Sequence, residues 1–337
     1  MKRYRPALAV ANAKYLPLPD ESVDLSVQSP PYANKVRNYG AGEGEIGRED
    51  GIDCWSWATG SERCGVCYMC AMRAVLEEMW RVLRPTGLAF FVLDDGYARG
   101  AAGFRAKEML LVPERFGLMA QRMGWIVRAK PIWWKRNAKP EGKLRDRPAR
   151  DYEPIYMLAK GDDYTWNIEA GRREPAAYTR KGGTAAYTAN GATNNGVGSK
   201  SFHQMAPNGA LMRTVLFDEV WHEVLDIPTV ASGGLHYAPF PPALAAKLIQ
   251  IASNPGDLVI DVFAGTGTTC VEAARLDRRA AGFDLSPLFL REDAAARIDR
   301  AFGPVEAEMA LIADWSAGRA IPGGGEFVDL PLFATPG

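Results

Sequence analysis

Two stretches of this 337-residue chain carry residue types able to work together on one reaction. The first is Leu258-Val-Ile-Asp-Val-Phe-Ala-Gly-Thr-Gly-Thr-Thr269. Its glycines, Gly265 and Gly267, have no Cβ, so a ligand can approach the backbone closely. Asp284 follows 19 positions after Gly265, about where a nucleoside-binding strand–helix–strand unit places the carboxylate that grips ribose hydroxyls. The second stretch is Ser29-Pro-Pro-Tyr32, a hydroxyl and backbone carbonyls beside an aromatic ring. A third group is Cys54-x9-Cys64-x2-Cys67-x2-Cys70. Four thiolates so close in sequence suit a tetrahedral Zn²⁺ site that staples the loop rather than catalyses, although the spacing is not two Cys-x2-Cys pairs and a free thiol pair is the alternative.

The elements that must position these residues can be read from pattern. Leu258–Val262 is a short apolar run of the kind buried on both faces of a parallel sheet. Thr268–Leu276 reads as the helix behind the glycines, and Ala280–Asp284 as the next strand. Ala7–Ala11 is a strand closed by Asn12. Ser22–Gln28 alternates and then meets two prolines, which cannot continue a central strand, so Ser29–Tyr32 must lie just past a strand's carboxyl end. Met69, Met72, Leu76, Met79 and Leu83 mark a helix stripe that Pro85 and Gly87 end. Leu88–Leu93 then runs as a strand to Asp94-Asp95-Gly96. Met109–Met123 reads as a helix stopped by Gly124, Glu153–Ala159 as a strand and Ser286–Phe302 as a helix.

A dinucleotide site asks for a third glycine, and Cys270 stands there. The segment resembles instead motif I of the amino-methylating DNA methyltransferases, Asp-Pro-Phe-x-Gly-x-Gly-Thr-Thr, with Val262 in place of the proline. The chain as a whole is similar to the β-class of that family, in which the catalytic motif precedes the cofactor motif. Ser22 to Tyr32 looks like motif IV, Arg81-Val-Leu-Arg-Pro-Thr-Gly87 like motif V, and Ile132-Trp-Trp-Lys-Arg-Asn137 with Glu153 like motif VIII. His236-Tyr-Ala-Pro-Phe-Pro-Pro242 looks like motif X.

The resemblance implies an α/β, Rossmann-like methyltransferase fold: a mostly parallel twisted sheet with helices on both faces, circularly permuted motif order and a small target-recognition insertion. It implies S-adenosylmethionine as cofactor. Asp284 then holds the ribose, Phe263 packs near the adenine, and Asp261 meets the methionine end with the turn of Ala264, Gly265, Thr266, Gly267 and Thr268. Asp261 also has a simpler reading as a turn or capping carboxylate. Phe240 and Pro241 belong to the clamp of motif X. Asn12 stands where the family often has Asp, so its contact with the adenine amino group carries no charge.

Ser29, Pro30, Pro31 and Tyr32 are the catalytic residues in this reading. An exocyclic amino group is a poor nucleophile because its lone pair is delocalised into the ring. Acceptors such as Ser29 Oγ and the Pro30 carbonyl favour its pyramidal form, while Tyr32 stacks on a base flipped from the duplex. In the family Ser-Pro-Pro-Tyr is commoner among enzymes acting on cytosine N4, and Asp-Pro-Pro-Tyr among those acting on adenine N6. Cytosine N4 is therefore expected and adenine N6 is the alternative. Ring-carbon methylation needs a nucleophilic cysteine, usually after a proline, and no cysteine here follows one.

Composition bounds the rest. Forty Lys and Arg balance forty Asp and Glu, so nucleic-acid affinity must come from local patches. One exists: from Arg128 to Arg150 nine Lys/Arg face two Asp/Glu, with Trp133 and Trp134 among them. A solvated face is the bland reading. Contact of Lys135, Arg136, Lys143, Arg145, Arg147 and Arg150 with double-stranded DNA is the functional one. No membrane span, signal peptide or obligate protein partner is evident, and a cytoplasmic enzyme is expected.

The expected organisation is a catalytic part over 1–160 with a Cys-rich insertion at 40–70, target recognition over 161–227, a cofactor-binding part over 228–303 and a tail over 304–337. The absence of a restriction-nuclease motif favours a stand-alone methyltransferase of a restriction–modification system. Two rivals are an enzyme acting on RNA or a protein amide, and a non-catalytic, zinc-bearing DNA-binding protein.

Overall fold

A computed structural model of the chain describes residues 4–33, 45–98, 100, 103–135, 146–171 and 241–303, with the backbone of two short strands at 215–216 and 313–315. In chain order the elements begin with β1 (Ala7–Ala11), β2 (Val23–Gln28), a one-turn α1 (Ser56–Thr59) and α2 (Tyr68–Val82). Next come β3 (Leu83–Val92), α3 (Val112–Arg122), β4 (Ile126–Ala129), β5 (Ile132–Trp134), β6 (Tyr152–Ala159) and β7 (Val215–Leu216). The last are α4 (Pro242–Ala252), β8 (Leu258–Asp261), α5 (Thr268–Arg275), β9 (Arg279–Asp284), α6 (Ala296–Phe302) and β10 (Ala313–Trp315).

The strands form one sheet in the order β10-β1-β9-β8-β2-β3-β6-β5-β7, with β4 also pairing β6. From β10 to β3 every pair is parallel. β6 then runs antiparallel to β3, with Leu88 opposite Ala159. The central strands are apolar because both faces are covered. On one face α2 and α3 pack over Val23, Phe91, Ile260 and Phe283; on the other α4 and α5 pack over Leu25, Val27, Phe90 and Val259. This is the doubly covered, mostly parallel architecture that the resemblance implies. Among the described residues no helix is long and apolar enough to cross a membrane.

The stripe of α2 is fully buried: Met69, Met72, Leu76 and Met79 are 0 % exposed, and each such side chain contributes about 1.5–3 kcal/mol. The chain leaves α2 straight into β3, five residues before the expected strand start at Leu88. Val23 pairs Leu83 but Leu25 pairs Leu88, so Arg84–Gly87 form a bulge. The bulge accommodates Pro85, which can donate no ladder hydrogen bond. Gly87 is required there, since a Cβ would lie 2.9 Å from the Asp24 carbonyl. Arg81, next to the end of α2, donates to the Leu18 carbonyl at 2.7 Å and to Asp20 at 2.7 Å, fixing the turn that feeds β2.

Candidate active site

β8 is followed by α5 and β9 on one side of the sheet, whereas β2 is followed by α2 and β3 on the other. β8 and β2 are neighbours, with Ser26 opposite Ile260. The connections therefore diverge between them and leave a crevice outside their carboxyl ends, where such sheets bind ligands. The glycine turn leaves β8 into that crevice and Ser29–Tyr32 leave β2 into it. The structure thus brings together two stretches more than two hundred positions apart in sequence.

The glycine turn is braced from both sides. Ala264 N–H donates to the Phe283 carbonyl at 2.9 Å, and Gly267 N–H to the Ala264 carbonyl at 2.7 Å. Gly265 and Gly267 have φ of 46° and 71°, left-handed values that a side chain resists. A Cβ on Gly267 would also lie 3.1 Å from that of Ala294. Asp284 accepts Gly265 N–H on Oδ2 and Ser286 N–H on Oδ1, both at 2.9 Å. The Leu285 N–H also bears on this carboxylate, and an ionised carboxylate offers about four lone-pair sites, so acceptor capacity remains for a ligand. Burial pushes the Asp284 carboxyl up to about 6, with the charge of Glu45 adding to the effect.

Asp261 is 2 % exposed and faces inward. It accepts Phe263 N–H at 3.0 Å and the Thr269 hydroxyl at 2.8 Å. Burial, with a smaller contribution from the Asp284 charge, raises its carboxyl to about 7. Thr269 Oγ1 also lies 3.2 Å from the Val27 carbonyl, so one hydroxyl ties the glycine turn to the end of β2. Thr269→Val should leave the buried carboxylate short of a donor and lower unfolding stability by about 1–3 kcal/mol. Chemical denaturation measures this, and unchanged stability would show the tie to be idle.

Around them, Phe263 packs half-buried against the core. Thr266 and Thr268 hydroxyls lie 3.3 Å apart, and Arg297 donates to Thr268. Asn12 closes a turn just past β1, its Oδ1 accepting Lys14 N–H at 3.1 Å, near Asp284 through the β1–β9 register. Pro241 caps α4 through its carbonyl, which accepts Leu244 N–H at 3.0 Å. Phe240, Arg136, Lys143 and Arg145 lie outside the described residues, as does most of 161–227 and 304–337.

The Ser29–Tyr32 segment is held by three neighbours. Pro30 is buried and Ser29 half-buried. The Pro31 carbonyl accepts the Tyr68 hydroxyl at 2.9 Å. Gly47, at φ 94°, presses on the Tyr32 carbonyl so closely that a Cβ would come within 2.5 Å of it. The Tyr32 hydroxyl donates at 3.0 Å to Glu153 Oε1, on a β6 residue only 2 % exposed.

Glu153 also accepts Lys135 Nζ, which sits 4.7 Å from the Trp133 ring centre. Arg150 donates to Asp94, and Arg147 lies 3.7 Å over the Tyr97 ring. Burial and then the Glu153 charge raise the Asp94 carboxyl to about 6, with Arg150 holding back part of the rise. Lys135 and Arg150 thus neutralise carboxylates beside Tyr32. Glu153 stands out in the sequence through its likeness to motif VIII, whereas Thr269 closes the glycine stretch but has no role assigned from the sequence. The four sulfurs of Cys54, Cys64, Cys67 and Cys70 come together beside this segment, all within 4.8 Å of one another.

Residues 23–295 match the DNA methylase family of N6/N4 type. Type II methyltransferase M.SmaI of Serratia marcescens is 29% identical over 291 residues, covering 80% of this chain and 82% of the relative. M.Cfr9I of Citrobacter freundii is 28% identical over 295 residues, covering 81% and 80%. Among solved structures, a DNA modification methylase of Thermus thermophilus, complexed with S-adenosyl-L-methionine, superposes with TM-score 0.54 at 25% identity, covering 89% of this chain and 96% of that one. The PvuII DNA methyltransferase, cytosine-N4-specific, shares the fold with TM-score 0.53 at 17% identity, covering 91% of each.

Proposed function

We propose that this chain, which belongs to the DNA methylase family, methylates the N4 amino group of cytosine in double-stranded DNA, using S-adenosylmethionine. The observation that carries this reading is the placement of Ser29–Tyr32 and the glycine turn side by side at the divergence of β2 and β8, tied by Thr269.

The residues suit the cofactor. The acceptor capacity left on Asp284 suits ribose hydroxyls, and Gly265 and Gly267 leave backbone open beside it. Phe263 and Asn12 are the residues assigned to the adenine, and Pro241, at the start of α4, to the clamp. The bound cofactor supplies a methyl group on an electrophilic sulfonium.

The chain's own residues prepare the amino group. Ser29 Oγ and the Pro30 carbonyl accept its hydrogens and localise its lone pair for attack. Tyr32, steadied by Glu153, stacks on the extruded base. The basic stretch from Arg128 to Arg150, apart from Lys135 and Arg150, which serve Glu153 and Asp94, supplies contact with the DNA backbone, and 161–227 supplies target recognition. A hydroxyl at position 29, in place of a carboxylate, supports cytosine over adenine.

Methylation of a mixed-sequence DNA followed by mass spectrometry of the nucleosides tests the reading. N4-methylcytosine is the expected product. N6-methyladenine alone would overturn the base assignment, and an unmodified DNA would overturn the activity.

A further inference from the structure

We infer that Cys54, Cys64, Cys67 and Cys70 hold a structural zinc ion, and that this ion fixes the Ser29–Tyr32 segment from behind. Four ligand sulfurs within 4.8 Å of one another are what a single tetrahedral ion requires. With Zn–S bonds of about 2.3 Å, the edges of a four-sulfur tetrahedron are about 3.8 Å. Cys54 and Cys70 sulfurs lie 3.4 Å apart, beyond the roughly 2.05 Å of a disulfide. An iron–sulfur cluster places several atoms between its thiolates and needs them farther apart.

The surroundings suit thiolates. Cys64 N–H donates to Cys70 Sγ at 3.3 Å, and Cys70 N–H to Cys67 Sγ at 3.4 Å. Ser56 Oγ lies 3.3 Å from Cys70 Sγ and can donate to it once that sulfur is ionised. Such outer contacts orient metal ligands and stabilise their charge. Cys67 caps α2 and Cys70 lies in its first turn, where the helix dipole favours negative charge. Between Cys64 and Cys67 the chain turns at Gly65 with φ 76°, a left-handed value that any side chain would strain. A four-thiolate site has no open position, so the ion serves structure rather than chemistry.

Two routes lead from the sulfurs to the catalytic segment. Tyr68, directly after Cys67, donates its hydroxyl to the Pro31 carbonyl. Cys67 also pairs with Gly51, while Tyr68 and Met69 N–H groups donate at 2.9 Å to the Gly51 and Ile52 carbonyls. That anchors the segment whose Gly47 abuts Tyr32. Cys54 leaves the same segment next to Asp53, which is buried against Arg115 at 3.0 Å. Without the ion, the four thiols would add only weak S–H donors to these backbone bonds and the Asp53–Arg115 pair.

The test begins with elemental analysis of the full chain purified with zinc supplied. About one zinc per chain is expected, and cobalt in its place should give the intense visible absorption of tetrahedral thiolate coordination. Iron in its place, or no metal, overturns the site. Cys64→Ser changes an exposed ligand and should lose the zinc; a full zinc content in that variant overturns the ligand set. Tyr68→Phe should keep the zinc, the melting temperature and the affinity for S-adenosylmethionine while kcat on DNA falls about two- to tenfold. An unchanged kcat overturns the positioning role. That last arm rests on the methyltransferase reading, whereas metal content does not, so the two can fail separately.

Discussion

Ser29→Ala is expected to cut turnover on DNA about a hundredfold or more, while affinity for S-adenosylmethionine stays as it was. Ser29 is the first residue past β2, whose side chains from Leu25 to Gln28 are buried, so the strand cannot shift to compensate. The substitution removes one acceptor and leaves the glycine turn, Thr269 and Asp284 untouched. Its effect should therefore fall on kcat. The lost contact is preorganised and strengthens as the amino group pyramidalises, which is why a single hydroxyl commands this scale. Tyr32 provides an internal contrast. Tyr32→Ala removes the stacking ring and should cost about 1–3 kcal/mol, whereas Tyr32→Phe keeps the ring and loses only the bond to Glu153. Single-turnover kinetics beside cofactor titration separates these effects. Near-normal methylation by Ser29→Ala would remove the hydroxyl from the mechanism.

The parts of this site that were legible in the sequence are those set by local physics. The apolar run before the glycines, the helix after them and Asp284 were readable because a strand, a turn and a helix each leave a pattern within a dozen residues. β1, β2, α5 and β9 fall within a residue of expectation. The misses have non-local causes. The helix expected from Met109 begins at Val112, because Leu111 takes a left-handed conformation and the Asp95 carboxylate accepts the Leu111 and Val112 N–H groups at 3.1 Å. A cap supplied from the end of another strand leaves no local signature.

Likewise the helix expected over Ser286–Phe302 opens as a π-helical stretch, Phe289–Ala295, before α6. Ala294 in that stretch packs on Gly267, and π geometry of this kind often accompanies function. The basic run was readable as charge but not as partners. That Lys135 turns to Glu153 and Arg150 to Asp94 depends on β6 lying antiparallel beside β3, a pairing that no local pattern encodes.

Asp284→Ala should weaken S-adenosylmethionine binding by about 1.5–3 kcal/mol, roughly ten- to a hundredfold, the scale of hydrogen bonds to a charged partner. Part of that loss would come through the turn, because the same carboxylate braces Gly265 and Ser286. Asp284→Asn keeps one carbonyl oxygen for the brace and removes the charge, so it should fall between wild type and alanine. The pH dependence carries a sharper signature. Burial holds the Asp284 carboxyl up at about 6, so below that pH it is protonated and its remaining acceptor sites are diminished. Hydroxyl donors favour the ionised form, and binding must release a proton there. Affinity should therefore rise with pH, by at most about tenfold per unit, and level off above about 6. In Asp284→Asn this rise should flatten. Calorimetry in buffers of different ionisation enthalpy reads the released proton directly. Unchanged affinity in a folded Asp284→Ala protein, or the same pH profile in Asp284→Asn, would take the ribose contact away from this residue.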